Sequence, residues 1–129
     1  MLASLRQSGY VLVISSTNPD DSFRDRLAGA GLTDQYDFAL GTNIDAGITK
    51  EDHPRLAAER LGMLPGEFAE TAVYVGDLPP DMKLARKVGL LAIGRSAGAN
   101  AHLLTAAGAQ HVIVNLAELE PLLNRLAAA

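Results

Sequence analysis

Two carboxylates, Asp77 and Asp81, stand four residues apart in the run Val73-Tyr74-Val75-Gly76-Asp77-Leu78-Pro79-Pro80-Asp81. An apolar segment ends abruptly in Gly-Asp, and the second acid falls where a helix should start. The carboxyl end of a strand is where open α/β sheets bind ligands, and paired hard oxygen donors suit Mg²⁺. Gly76 is expected to let the chain turn sharply and a ligand approach the backbone. Pro79 and Pro80 suit a helix entrance, where a missing N–H leaves no bond unmade. A plainer account has Asp81 capping a helix and complementing its dipole. It explains Asp81 but leaves Asp77 unexplained.

Other candidates are weaker one by one. Ser15, Ser16 and Thr17 follow the apolar run Tyr10-Val11-Leu12-Val13-Ile14. Hydroxyls and backbone N–H groups at such a place can cradle a phosphate, although a turn of small polar residues leading through Asn18-Pro19-Asp20 into a helix cap is the stronger account on its own. Lys50 lies in the loop Asp45-Ala46-Gly47-Ile48-Thr49-Lys50 and could offset phosphoryl charge, yet most loop lysines are simply solvated. His53, beside Pro54, could reach the same place but is read as a surface residue at a helix start. Arg95-Ser96-Ala97-Gly98 either helps bind substrate or is only a loop. His102 and His111 lack ligand spacing. No G-x-G-x-x-G, Walker lysine loop or G-x-S-x-G elbow is present.

The elements that must position these residues alternate between strand and helix. Tyr10–Ser15, Asp37–Gly41, Val73–Val75, Leu90–Ile93 and His111–Val114 read as strands. Phe23, Leu27 and Ala30 mark one helix face, and Leu56, Ala57, Arg60 and Leu61 another. A third helix is predicted from about Asp81 to Val88, and a terminal one carries Leu116, Leu119, Leu122, Leu123 and Leu126. This alternation predicts an α/β fold, a Rossmann-like three-layer α/β/α arrangement with a mainly parallel sheet of about five strands. Right-handed crossovers would bring Ser15, Gly41, Asp77 and Gly94 to one edge.

The 129 residues, 48% hydrophobic, suit a single domain spanning 1–129. A formal charge of −4 offers no footprint for nucleic acid or an anionic membrane surface. No apolar stretch is long enough to span a bilayer, and no signal peptide is visible. With no cysteine there is neither a disulfide framework nor a thiolate metal site. A cytoplasmic protein is expected. Only the tail Ala127-Ala128-Ala129 is expected to fray.

Taken in order, these segments resemble the haloacid dehalogenase-like (HAD) hydrolase superfamily, in particular its phosphoglycolate phosphatase-type branch. Gly9 through Ser16 looks like the family's second motif, Gly41 through Lys50 and Pro54 like its third, and Val73 through Asp81 with Lys83 to Gly89 like its fourth. The resemblance runs from about Leu5 to Leu123 and implies a Mg²⁺-dependent phosphomonoesterase acting on a phosphorylated small molecule. In that scheme an aspartate attacks the phosphoryl group and water hydrolyses the aspartyl-phosphate. It implies that Ser15, with Ser16, holds phosphate oxygens and that Lys50 pairs with nucleophile and phosphate. Asp77 and Asp81 would be the metal-side acids, Asp77 ligating Mg²⁺ and Asp81 either completing the acidic cluster or orienting the lysine.

Two departures stand out. The family's first motif, D-x-D-x-T after an N-terminal strand, is not found; Asp20-Asp21-Ser22 has neither the spacing nor a preceding apolar strand. Lys50-Glu51-Asp52-His53-Pro54 also has one residue more than the Lys-Pro-x-Pro pattern of this branch. The expectation is therefore a catalytically incomplete core that binds Mg²⁺ weakly. Removing the nucleophile strand would leave the strands ending at Ser15 and Asp77 with unpaired ladders facing a gap, a costly and adhesive feature. The two strands could close up and pair directly, a strand from another chain could fill the slot, or the chain could be a fragment whose other half is missing. The alternative is a non-catalytic binding or assembly module: a relic pocket for an anion, or an open edge that pairs in a homo-oligomer or with a partner chain carrying the missing half.

Overall fold

The computed structural model describes residues 2–31 and 35–128. The chain divides into two compact units, Met1–Leu61 and Gly62–Ala129.

In the first unit, α1 (Leu2–Gln7) leads to β1 (Val13–Pro19), α2 (Asp20–Gly29) and β2 (Phe38–Thr42). A 3-10 turn (Lys50–Asp52) then runs into α3 (His53–Arg60). β1 and β2 are parallel, with Val13, Ile14 and Ser15 beside Phe38, Ala39 and Leu40, and the ladder slips before Pro19 meets Thr42. Leu27 of α2 packs on Ala39, with Ile14 and Tyr36 against them. Ala30, expected on the same helix face, is instead the exposed C-cap of α2. Asp37 ties the start of the sheet together. Its carboxylate accepts the Leu12 N–H at 2.7 Å and pairs with Arg6 at 3.1 Å, while its own N–H donates to the Leu12 carbonyl at 2.8 Å.

In the second unit, α4 (Pro65–Thr71) precedes β3 (Val73–Gly76), α5 (Pro79–Lys87), β4 (Leu91–Arg95), α6 (Ala101–Ala106) and β5 (His111–Ile113). A 3-10 turn (Leu116–Glu118) leads into α7 (Leu119–Ala128). The strands run parallel in the order β3-β4-β5. Met82 and Ala85 of α5 share a core with Leu90, Ala92 and Leu104, and Phe68, Tyr74 and Ala107 close around it. α5 presents these residues because Met82 and Ala85 are three apart, one helical face. Pro79 and Pro80 occupy its first turn, so the helix begins two residues earlier than the sequence predicts.

The α/β reading holds: among the described residues five strands are found, and each strand pair is parallel. They hydrogen-bond as a two-stranded and a three-stranded sheet. Among the described residues, β1 pairs with β2 alone and β3 with β4 alone. The Phe23 side chain and the Ala129 end of the tail lie outside the described residues.

Candidate functional site

The first unit gathers one set of candidates. β1 carries Ser15 and Ser16, both half-buried. The 3-10 turn that begins with the half-buried Lys50 packs against β1. Asp52 fixes this turn: its carboxylate accepts the Thr49 N–H at 2.8 Å and lies 3.7 Å from Arg55. The Thr49 N–H, with help from Arg55, holds the Asp52 carboxyl below the usual carboxylate range. Ser16 Oγ accepts the Asn18 N–H at 3.1 Å, a local turn bond.

His53 is the residue that sequence reasoning misjudged. It is buried, with 2% exposure, rather than on the surface. Its ring spans the two strands: Nδ1 lies 2.6 Å from Ser15 Oγ, and Nε2 lies 2.8 Å from the Gly41 carbonyl oxygen. A carbonyl can only accept, so Nε2 carries a proton and donates to Gly41. The backbone N–H of His53 bonds the Lys50 carbonyl, so the ring and the lysine belong to one folded turn. The burial was readable in principle. His53 and Ala57 are four apart, and Pro54 and Ala58 flank them; all four are buried on the inner side of α3.

The second unit gathers the acids. Gly76 pairs with Gly94 within the sheet, so the ends of β3 and β4 lie side by side. Asp77 follows, exposed. Asp81, only 8% exposed, folds back from the first turn of α5, and its carboxylate accepts the Leu78 N–H at 3.3 Å. A Cβ on Gly76 would lie 2.4 Å from Asp81 Cβ and 2.7 Å from Asp81 Oδ2. Gly76 is not among the residues with positive φ. Its role is therefore to admit the Asp81 side chain against the strand, not to make a left-handed turn. Asp81 does act as the helix-start acid of the plainer account, because it accepts the backbone N–H of Leu78, the N-cap residue of α5.

The loop after β3 has a further anchor. Ser96, 4% exposed, donates to Asn100 Oδ1 at 2.5 Å and accepts the Gly98 N–H at 3.0 Å. Asn100 Nδ2 in turn donates to the Asp77 carbonyl at 3.3 Å. Ser96 thus braces the Asp77 loop through Asn100. The Ser96-to-Asn100 spacing carried no signal of this, since Asn100 meets Asp77 across 23 residues.

The fit to Mg²⁺ is poor in these residues alone. Among the described residues no group of three or more His, Cys, Asp or Glu side chains could hold a metal ion. Asp81 already spends one oxygen on a backbone N–H, and Mg²⁺ demands near-octahedral oxygen donors.

No family model matches the chain. A relative called "Probable phosphatase IndB", from Dickeya dadantii (strain 3937), is 32% identical over 93 residues, 72% of this chain and 39% of its own length. Among solved structures, a "predicted phosphatase" from Clostridium acetobutylicum superposes with a TM-score of 0.83 at 28% identity, over 96% of this chain and 56% of that one. A HAD family hydrolase from Deinococcus radiodurans R1, with bound phosphate and sodium, gives 0.80 at 25% identity, again over 96% and 56%. The chain thus spans well under two thirds of each of these proteins. The parallel strands, the Gly-Asp strand end with its folded-back second acid, and these likenesses lead to one conclusion: the chain belongs to the haloacid dehalogenase-like hydrolase superfamily.

Proposed function

We propose that this chain is the phosphate-holding core of a phosphomonoesterase of the phosphoglycolate phosphatase type, acting on a phosphorylated small molecule. Ser15, with Ser16, takes phosphate oxygens, and Lys50 offsets phosphoryl charge. Asp77 faces the metal side, and Asp81 completes the acidic wall. Mg²⁺ enters this reading as the metal of the family, needing oxygen ligands beyond these two acids. The observation that carries the reading is the Asp81 carboxylate packed on Gly76 beside an exposed Asp77, since a simple helix cap needs neither the glycine nor the second acid.

The reading is tested by titrating inorganic phosphate into the 129-residue chain and following it by NMR. Saturable shifts at Ser15 and Lys50 are expected. Ser15→Ala and Lys50→Ala should each weaken binding roughly tenfold, the loss of one charge-assisted contact. Shifts confined elsewhere, or unaffected by both substitutions, would contradict it.

A second reading is favoured by the one-sided pairing of β1 and β3: a non-catalytic module whose open ladder takes a strand from a second copy or a partner chain.

A further inference from the structure

The buried histidine poses a problem for the hydroxyl it touches. With Nε2–H committed to the Gly41 carbonyl, a neutral ring leaves Nδ1 as an acceptor. Ser15 then donates its only proton to Nδ1 across 2.6 Å. In that state the hydroxyl offers lone pairs, not a donor, to anything beyond it. An anion meets repulsion there.

Adding one proton reverses the bond. The imidazole takes a proton from solvent onto Nδ1, and Nδ1–H donates to Ser15 Oγ. The hydroxyl proton is then released to point at an anion oxygen. The Gly41 bond is unchanged throughout, so the ring keeps its place. We propose that anion binding at Ser15 is coupled to protonation of His53, which acts as the positioning residue for the hydroxyl. This rests on the reading of Ser15 as a phosphate-holding residue.

The surroundings set the direction of the coupling. Neither Val13–Pro19 nor Phe38–Thr42, the strands carrying the two partners, contains an ionisable side chain. The 3-10 turn brings Lys50, Glu51 and Asp52, and α3 itself brings Arg55, Glu59 and Arg60. Burial at 2% exposure and a place in the first turn of a helix both oppose a charged ring. An anion beside Ser15 offsets both. By linkage, anion and proton must each strengthen the binding of the other.

Inorganic sulfate is the probe, because its charge stays constant across the range in which histidine titrates. The full chain is titrated with sulfate between about pH 5 and about pH 8, with the His53 imidazole shifts followed by NMR and His102 and His111 as internal controls. Sulfate should move the His53 midpoint to higher pH, and its affinity should fall by up to about tenfold per pH unit over part of that range. Ser15→Ala should remove the midpoint shift. His53→Gln, which can still donate to Gly41 and accept from Ser15, should bind sulfate weakly and with no dependence on pH. If that variant does not fold, the wild-type titration decides the matter alone. Sulfate binding at Ser15 with an unmoved His53 midpoint would overturn the coupling and leave the phosphate-site reading standing. No binding of sulfate or phosphate at any pH would overturn both.

Discussion

Gly76 shows how much a single missing Cβ can decide. The residue sits in regular strand pairing with Gly94, so its backbone conformation is open to any amino acid. The space its side chain would need is held by Asp81, at 2.4 Å from Cβ to Cβ. Gly76→Ala must therefore push Asp81 off the strand end or shift the first turn of α5. We expect a loss of about 1–3 kcal/mol in stability, the range for overpacking a closed site, read as a lower midpoint in urea. An alanine variant as stable as the wild type would show that the acid is not held where the account has it. The sequence made the two acids conspicuous because Gly-Asp ending an apolar run is unusual. It did not reveal the packing reason for the glycine, because a close approach between residues five apart leaves no trace in local pattern. His53 was misread for a related reason. Its partners, Ser15 and Gly41, are 38 and 12 residues away, and only the parallel pairing of β1 with β2 brings them to one ring.

At the scale of elements, strands and helices were legible where periodicity was strong. All five strands were placed, with boundaries shifted by up to a few residues. α1, α4 and α6 were not foreseen; each is short, and α4 carries Gly66 in its first turn. The 3-10 turn carrying Lys50 was read as a loop, and what makes it a defined element is Asp52 accepting the Thr49 N–H. The Asp52 carboxyl is held below its ordinary range by that bond. A group with a depressed folded pKa stabilises the fold above its unfolded value, and this contribution is lost as pH falls through the folded value. Asp52→Ala should therefore lower the thermal midpoint at about pH 7 and make little difference near about pH 2, where the wild-type carboxylate is itself protonated. An equal effect at both pH values would contradict this role for the turn.

Over the whole molecule, the sequence left open whether the strands flanking the missing one pair directly, take a strand from another chain or belong with a missing half. Among the described residues the strands hydrogen-bond as β1-β2 and β3-β4-β5. Unpaired edges invite pairing with another strand. Light scattering coupled to size-exclusion chromatography separates the two proposals: a concentration-dependent dimer favours the assembly module, and a monomer that stays soluble argues against it. Among the described residues no helix is long and apolar enough to cross a membrane. What was least legible was activity. The family resemblance supplied roles for Ser15, Lys50, Asp77 and Asp81, while the 129 residues contain no D-x-D-x-T to attack a phosphoryl group. The most direct test of the proposal that these residues form a catalytically incomplete phosphatase core is Mg²⁺-dependent hydrolysis of p-nitrophenyl phosphate by the purified chain. A rate indistinguishable from the protein-free background is expected. Robust turnover that disappears in Asp77→Asn would contradict it, by revealing an attacking group within these residues.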